Sequence, residues 1–151
     1  MLAPTPYLSK PQIFLVDDDE DDRFLFLDAV TELRNDLDFR EFADGETLMA
    51  TLSDTSSPPD AIFLDLNLPR RNGIECLDYL RTALGDKFTK VFIISTSSSD
   101  LMIETTRDKG ADLYIRKSEN FAHLKDLIKI ALQQIHSSVT VPYYLNKLVE
   151  K

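Results

Sequence analysis

The chain has a single cysteine, Cys76, so no intrachain disulfide is available to it. That usage leads to the expectation of a cytoplasmic protein. Cys76 falls within a helical pattern and reads as a small buried apolar residue rather than a redox centre. Basic residues are also in short supply: 17 Lys and Arg stand against 26 Asp and Glu, for a net charge of −9 and a pI of about 4.6. Nucleic acid and anionic membrane both demand a basic surface, so neither is expected as a direct partner. An acidic chain suits a basic protein patch or a metal cation. No apolar run approaches the roughly 20 residues of a membrane helix. The opening "MLAPTPYLSKPQ" lacks the basic start and apolar core of a signal peptide.

What is present is enough for one domain with a proper core: 151 residues, 43% of them hydrophobic. Strand candidates lie at 12–16, 38–42, 61–64, 91–95 and 112–116. Helical patterns fall between them, at about 21–34, 45–52, 72–82, 100–109 and 120–136. The last carries the clearest stripe, Phe121, Leu124, Ile128, Ala131 and Ile135, at spacings of three and four. Leu127 and Ile130 lie off that stripe and read equally as peripheral core or as exposed surface. Punctuation agrees with the helix limits: "SSPP" at 56–59 ends a loop, and Gly110 caps the fourth helix.

Strands alternating with helices of this length make βαβ units with right-handed crossovers. The expected fold is therefore an α/β, doubly wound, five-stranded parallel sheet with helices on both faces. The pattern divides the chain into an N-terminal extension (1–10), a domain (11–136) and a tail (137–151). Pro142 excludes an uninterrupted helix in that tail.

Folds of this kind bind ligands beyond the carboxyl ends of the strands, where strand order reverses. The first strand ends in "VDDDEDD", so Asp17 and Asp18 sit directly against it. The third strand, "AIFL", runs straight into Asp65, a carboxylate that is costly to desolvate unless something pairs with it. With the first and third strands adjacent, Asp17, Asp18 and Asp65 share one concave spot and raise each other's pKa. A hard divalent cation resolves that repulsion, and oxygen-only ligands favour Mg2+. Lys117 follows the fifth strand and offers a point charge for a phosphoryl oxygen. Ser95 ends the fourth strand with a hydroxyl donor. Asp65 itself is a carboxylate of the kind that forms aspartyl phosphates. Asp19 to Asp22 divide evenly between a part in the site and a bland reading, a solvated face or a charge cluster favouring the start of the first helix.

These residues together resemble the receiver domain of two-component response regulators. The likeness covers roughly 11–136 and rests on an ordered set. Asp17 and Asp18 come first, then Asp65, the P-x-x-x-G of Pro69 and Gly73, Ser95, Tyr114 and Lys117. Asp65 to Ser95 is 30 positions and Ser95 to Lys117 is 22. The acidic run is similar to a stand-alone subgroup that includes phytochrome-associated regulators. The resemblance implies a flavodoxin-like strand order, 2-1-3-4-5. It implies that Asp65 accepts a phosphoryl group from a histidine kinase or phosphotransfer protein, with at most self-phosphorylation and autodephosphorylation as enzymatic activity. Asp18, Asp65 and the main-chain carbonyl of Asn67 would hold Mg2+, with Asp17 acting through water. Lys117 would bind a phosphoryl oxygen, and Ser95 and Tyr114 would form the switch. With no output-domain pattern after residue 136, a single-domain regulator is expected. It would signal to a downstream target, or to a second copy, through the face made by the fourth helix, fifth strand and fifth helix. Two positions depart from the family: Ser118 stands where a proline usually follows the lysine, which favours a trans peptide, and Thr96 is bulkier than usual.

Rival readings fit less well. An EF-hand loop starting at Asp17 would need Gly at Asp22 and Glu at Asp28, and a helix rather than a strand before it. A haloacid-dehalogenase-type phosphatase needs a second acid two residues after its nucleophile, where Asn67 stands. No glycine follows the first strand, which argues against a dinucleotide enzyme. A degenerate receiver, binding partners without phosphorylation, would not need the full set of acids, Ser95 and Lys117.

Overall fold

The central strands form because their side chains are buried on both faces of one sheet, which selects continuous apolar runs over alternating ones. In a computed structural model that describes residues 10–54, 57–69, 72–85, 89–137 and 139–146, every residue of β3 (Ala61–Asp65) is buried. Around it lie β1 (Gln12–Val16), β2 (Asp38–Phe42), β4 (Lys90–Ser95) and β5 (Leu113–Arg116). The helices are α1 (Glu20–Leu33), α2 (Gly45–Ser53), α3 (Gly73–Leu84), α4 (Asp100–Asp108) and α5 (Phe121–Gln133). Residues 1–9, on which the signal-peptide reading rests, lie outside the described residues, as do 55–56 of the second helix's loop and 147–151 of the tail.

All strand pairs are parallel, in the order β2-β1-β3-β4-β5-β6. The sequence reading stops at five strands. The sixth, β6 (Tyr144–Leu145), pairs with β5 through Tyr114↔Tyr144 and Ile115↔Leu145. Two residues are too short to carry a strand period, so this piece of the tail is invisible to pattern reading. Its partner strand supplies the hydrogen bonds that define it, including Tyr114 N–H to the Tyr143 carbonyl at 2.8 Å.

Each helix begins at a side-chain cap. Asp19, Asp44, Asn72, Ser99 and Asn120 each accept a backbone N–H from the first turn, and Asn72 with Glu75 completes a capping box. Gly110, at φ 97°, turns the chain out of α4 just past its C-cap, where only glycine is unstrained. Helices α1 and α5 cover one face of the sheet over Ile13, Leu15, Phe63, Phe92 and Ile115. Helices α2, α3 and α4 cover the other, over Phe14, Ile62, Leu64 and Ile93. Cys76 on α3 is fully buried in that second layer.

Leu127 belongs to the core, which decides between its two readings. It is 0% exposed, and Ile130 is partly buried against the same layer. The reason is the width of the contact. Helix α5 packs on the sheet and alongside α1 at once, with Lys125 Nζ 3.1 Å from Glu32 Oε1 across the pair. Its buried arc therefore spans Leu124, Leu127, Ile128, Ala131 and Leu132, wider than the single predicted stripe.

The sheet reverses direction of winding between β1 and β3, so the crevice of the fold opens at the carboxyl ends of these two strands.

Candidate functional site

Strand β1 delivers Asp17 and β3 delivers Asp65 to that crevice, where they are 2% and 3% exposed. Asp18, next along the chain, is exposed at the rim. One carboxylate oxygen from each of the three lies within 4.8 Å of the others. Two of these acids are held by turns that follow their own strands. Asp17 Oδ1 accepts the N–H of Asp19 at 3.0 Å, and Asp65 Oδ1 accepts the N–H of Asn67 at 3.1 Å. Both turns leave the second oxygen of each carboxylate facing the same point.

Lys117 occupies that point. It follows β5, and its backbone N–H donates to the Ser95 carbonyl at 2.7 Å, which fixes the origin of the side chain. Its Nζ lies 2.8 Å from Asp17 Oδ2 and 3.1 Å from Asp65 Oδ2. The Lys117 side chain is 15% exposed, and burial alone would depress its pKa. The hydrogen bond to Asp17 and the charge of Asp65 outweigh burial and hold the ammonium well above its ordinary value. Burial pushes the Asp17 carboxyl up, with the Lys117 hydrogen bond opposing. The Lys117–Ser118 peptide is trans, as are all the described residues. Ser118 Oγ instead caps the following turn, accepting the Asn120 N–H and meeting His123 Nδ1, both at 3.1 Å.

A third element frames the site. Ser95, 0% exposed at the end of β4, accepts the Ser97 N–H through Oγ at 3.1 Å. Tyr114, also fully buried, donates its hydroxyl to the Ser97 carbonyl at 3.0 Å. The two side chains hang from the same residue, although they come from different strands. Thr96 is exposed and lines an open groove with Lys117, Ser118 and Asn146.

The residues singled out in the sequence therefore fall into two adjoining groups. Asp17, Asp18, Asp65 and Lys117 converge at the crevice, with Asn67 in the turn bonded to Asp65, while Ser95 and Tyr114 meet at Ser97. The sequence reading left the role of Asp22 open. Its carboxylate Oδ2 sits 2.9 Å from Lys117 Nζ, a third acid on the same ammonium. The signal was present in the run after β1, but an acid in a helix's first turn is already explained by the dipole and capping. The tail was passed over: Tyr144 stands against Tyr114, and Tyr143 Oη is 2.6 Å from Thr106 Oγ1 on α4.

The open doubly wound sheet carries three carboxylates and a lysine at its switch point, and the three carboxylates could hold a metal ion. The sequence pattern of the response regulator receiver domain matches residues 13–129, and this chain belongs to that family. Among characterised proteins it is similar to the response regulator Rcp1 of Synechocystis sp., with 31% identity over 139 residues, 86% of this chain and 92% of Rcp1. It spans about half the length of other relatives that are transcriptional regulatory proteins. Among solved structures it is similar to the phosphorylated cyanobacterial phytochrome response regulator RcpA, with a TM-score of 0.76 and 31% identity over 88% of this chain and 99% of RcpA. The Mn(2+)-bound form of Rcp1 follows at a TM-score of 0.74 and 26% identity, covering 87% of this chain and 99% of Rcp1. Among the described residues no helix is long and apolar enough to cross a membrane.

Proposed function

We propose that Asp65 is the phosphoacceptor of a cytoplasmic response regulator, charged by the phosphohistidine of a kinase or phosphotransfer protein in a Mg2+-dependent step. The observation that carries this reading is the placement of Lys117 Nζ between Asp17 and Asp65 at 2.8 and 3.1 Å. A carboxylate oxygen of Asp65 attacks phosphorus, a P–O bond forms, and the P–N bond breaks to release imidazole. Lys117 is already at hydrogen-bond distance from the attacking carboxylate. It moves its donor to a phosphoryl oxygen once phosphorylation removes the charge of Asp65.

The donor set fits a hard divalent cation: three carboxylate oxygens lie within 4.8 Å, with no sulfur or imidazole among them. Asp18, Asp65 and the Asn67 carbonyl would hold Mg2+, with Asp17 through water. The cation would neutralise charge on the transferring phosphoryl group. The relative Rcp1 has a Mn(2+)-bound form, which supports divalent-cation binding.

Output follows from the shared residue Ser97. If the Ser95 hydroxyl turns to the phosphate, it gives up the Ser97 N–H, and the Ser97 carbonyl is the acceptor of Tyr114. A change at Ser95 thus reaches Tyr114 through one residue and biases the surface of α4, β5 and α5 toward a target or a second copy. The receiver is taken as 11–136, with 1–10 and 137–151 as extensions. The degenerate reading is not favoured, because every reactive group is present and Asp17, Asp18, Asp65 and Lys117 converge.

Incubation with acetyl phosphate and Mg2+ should add the mass of one phosphate, labile to acid and to hydroxylamine. Equal incorporation in Asp65→Asn would remove the assignment.

A further inference from the structure

Lys117 has more partners than its proposed role requires. An ammonium carries three N–H donors. Three carboxylates lie within reach of them: Asp17 at 2.8 Å, Asp22 at 2.9 Å and Asp65 at 3.1 Å. Asp17 and Asp65 belong to the cation-binding trio, and Asp22 does not. During phosphoryl transfer Asp65 loses its charge to the acyl linkage, and a bound cation shares the charge of Asp17. Asp22 is the one partner that the chemistry leaves unchanged.

The fold presents Asp22 from an anchored turn. It occupies the third position of α1, and its N–H donates to the capping Asp19 Oδ1 at 3.1 Å. The dipole of the helix favours a carboxylate there. Arg23, the next residue, ties the same turn to the sheet. Its guanidinium donates to the Asp17 carbonyl at 2.8 Å and to Glu41 at 3.1 Å. The Asp22 side chain is 40% exposed and that of Lys117 is 15% exposed, so the contact closes the outer side of the site. Without it the long, flexible stem of Lys117 would regain rotamer freedom on that side.

We propose that Asp22 is a positioning residue for phosphoryl transfer: it holds the Lys117 ammonium so that the donor now on Asp65 is delivered to a phosphoryl oxygen. The inference rests on the phosphoacceptor reading of Asp65. Two effects of Asp22 oppose each other. Its charge repels a phosphoryl group, and its hydrogen bond restrains the lysine. The repulsion acts from a half-exposed carboxylate and is screened by water and salt. The restraint is a direct charge-assisted hydrogen bond and is screened less. Restraint therefore dominates.

A double-mutant cycle separates the two effects. Affinity for beryllofluoride, a phosphoryl mimic, is measured by calorimetry with Mg2+ in the parent, Asp22→Ala, Lys117→Met and the double variant. Melting temperatures of all four establish that each is folded. Asp22→Ala should weaken binding about fivefold, the effect of a charged hydrogen bond discounted for exposure. Asp22→Asn, which keeps an acceptor oxygen, should recover part of the loss. In the Lys117→Met background Asp22→Ala should have no effect or tighten binding slightly. In metal-free protein the Lys117 ammonium protons, followed by 15N-resolved NMR, should exchange faster in Asp22→Ala. Tighter binding in Asp22→Ala with Lys117 present, an equal loss in both backgrounds, or unchanged ammonium exchange would overturn the proposal. A folded parent that binds no beryllofluoride overturns the phosphoacceptor reading, and the role of Asp22 with it.

Discussion

Tyr144 stands edge-on to Tyr114, with ring centroids 5.7 Å apart and planes at 71°. The tail thus covers the tyrosine that the proposed switch must move. Tyr143, beside it, is bound to α4 through Thr106 and lies under Arg107, whose guanidinium carbon is 5.0 Å from the ring centroid. Thr106 Oγ1 already donates to the Ile103 carbonyl at 3.1 Å, so the Tyr143 phenol is the donor in the 2.6 Å contact. Strand β6 is therefore held at the edge of the sheet by side chains on both sides of it.

That phenol gives the tail a pH signature. Burial raises the Tyr143 pKa from 10.0 to about 12. The folded state favours the neutral phenol, so the stabilisation is complete below pH 10 or so and is lost as pH climbs through about 12. At pH 8 Tyr143→Phe should be less stable than the parent by about 1 kcal/mol, the worth of one hydrogen bond. Urea midpoints at pH 8 and at progressively higher pH should show that gap closing and then reversing. A constant gap would mean that the phenol has the same pKa in the folded and unfolded protein.

Magnesium should stabilise the fold. Three clustered carboxylates repel one another without a cation, and binding to the native state alone adds stability by mass action. At about 100 times the dissociation constant the gain is roughly 2.7 kcal/mol. For a domain of this size that is a rise in melting temperature of roughly 5–10 °C. Asp18→Ala should abolish most of the rise, because it removes one of three oxygens within 4.8 Å of each other. An equal rise in both proteins would place the ion elsewhere.

Gly73 should tolerate no side chain. A Cβ there would lie 2.5 Å from the Asp65 carbonyl oxygen and 2.5 Å from Leu66 Cα, both backbone atoms. The Gly73 N–H also donates to the Leu66 carbonyl at 3.0 Å, so the start of α3 is pressed against the turn that carries the phosphoacceptor. Gly73→Ala should cost about 3 kcal/mol by chemical denaturation, at the upper end for overpacking. Its phosphorylation rate should fall as well, since the atom displaced belongs to Asp65. Parent-like stability would show that the turn yields freely.

Much of this was legible in the sequence because it depends on local rules. The strands are apolar runs, the helix limits are capping side chains, and the acids and lysine lie at strand ends that the βαβ rule brings to one edge. Asp22 was not legible, because its contact with Lys117 crosses 95 positions and its local explanation as a helix-start acid was sufficient. The exposure of Leu127 stayed open because its burial depends on α1, a neighbour that a periodic stripe cannot reveal. Strand β6 was missed because two residues have no period, and what fixes them is the free edge of β5 and the partners of Tyr143 and Tyr144.

The last prediction concerns that tail as a reporter of phosphorylation. The Tyr114 hydroxyl and the Ser95 hydroxyl are joined through Ser97, and the opposite side of Tyr114 is the ring of Tyr144. Turning Ser95 toward a phosphoryl group removes one bond to Ser97. Movement of Tyr114 in response then withdraws the surface on which Tyr144 rests. The β5–β6 ladder is only two residues long and has little to hold it once that contact goes. Beryllofluoride with Mg2+ should therefore raise hydrogen exchange at 139–146 while lowering it around the site, at 65–68 and 95–99. Tyr114→Ala should show fast exchange of the tail with or without the mimic, having lost the ring contact in both states. A tail whose exchange is unmoved by the mimic, in a protein where the site loops respond, would mean that the signal leaves without passing through Tyr114.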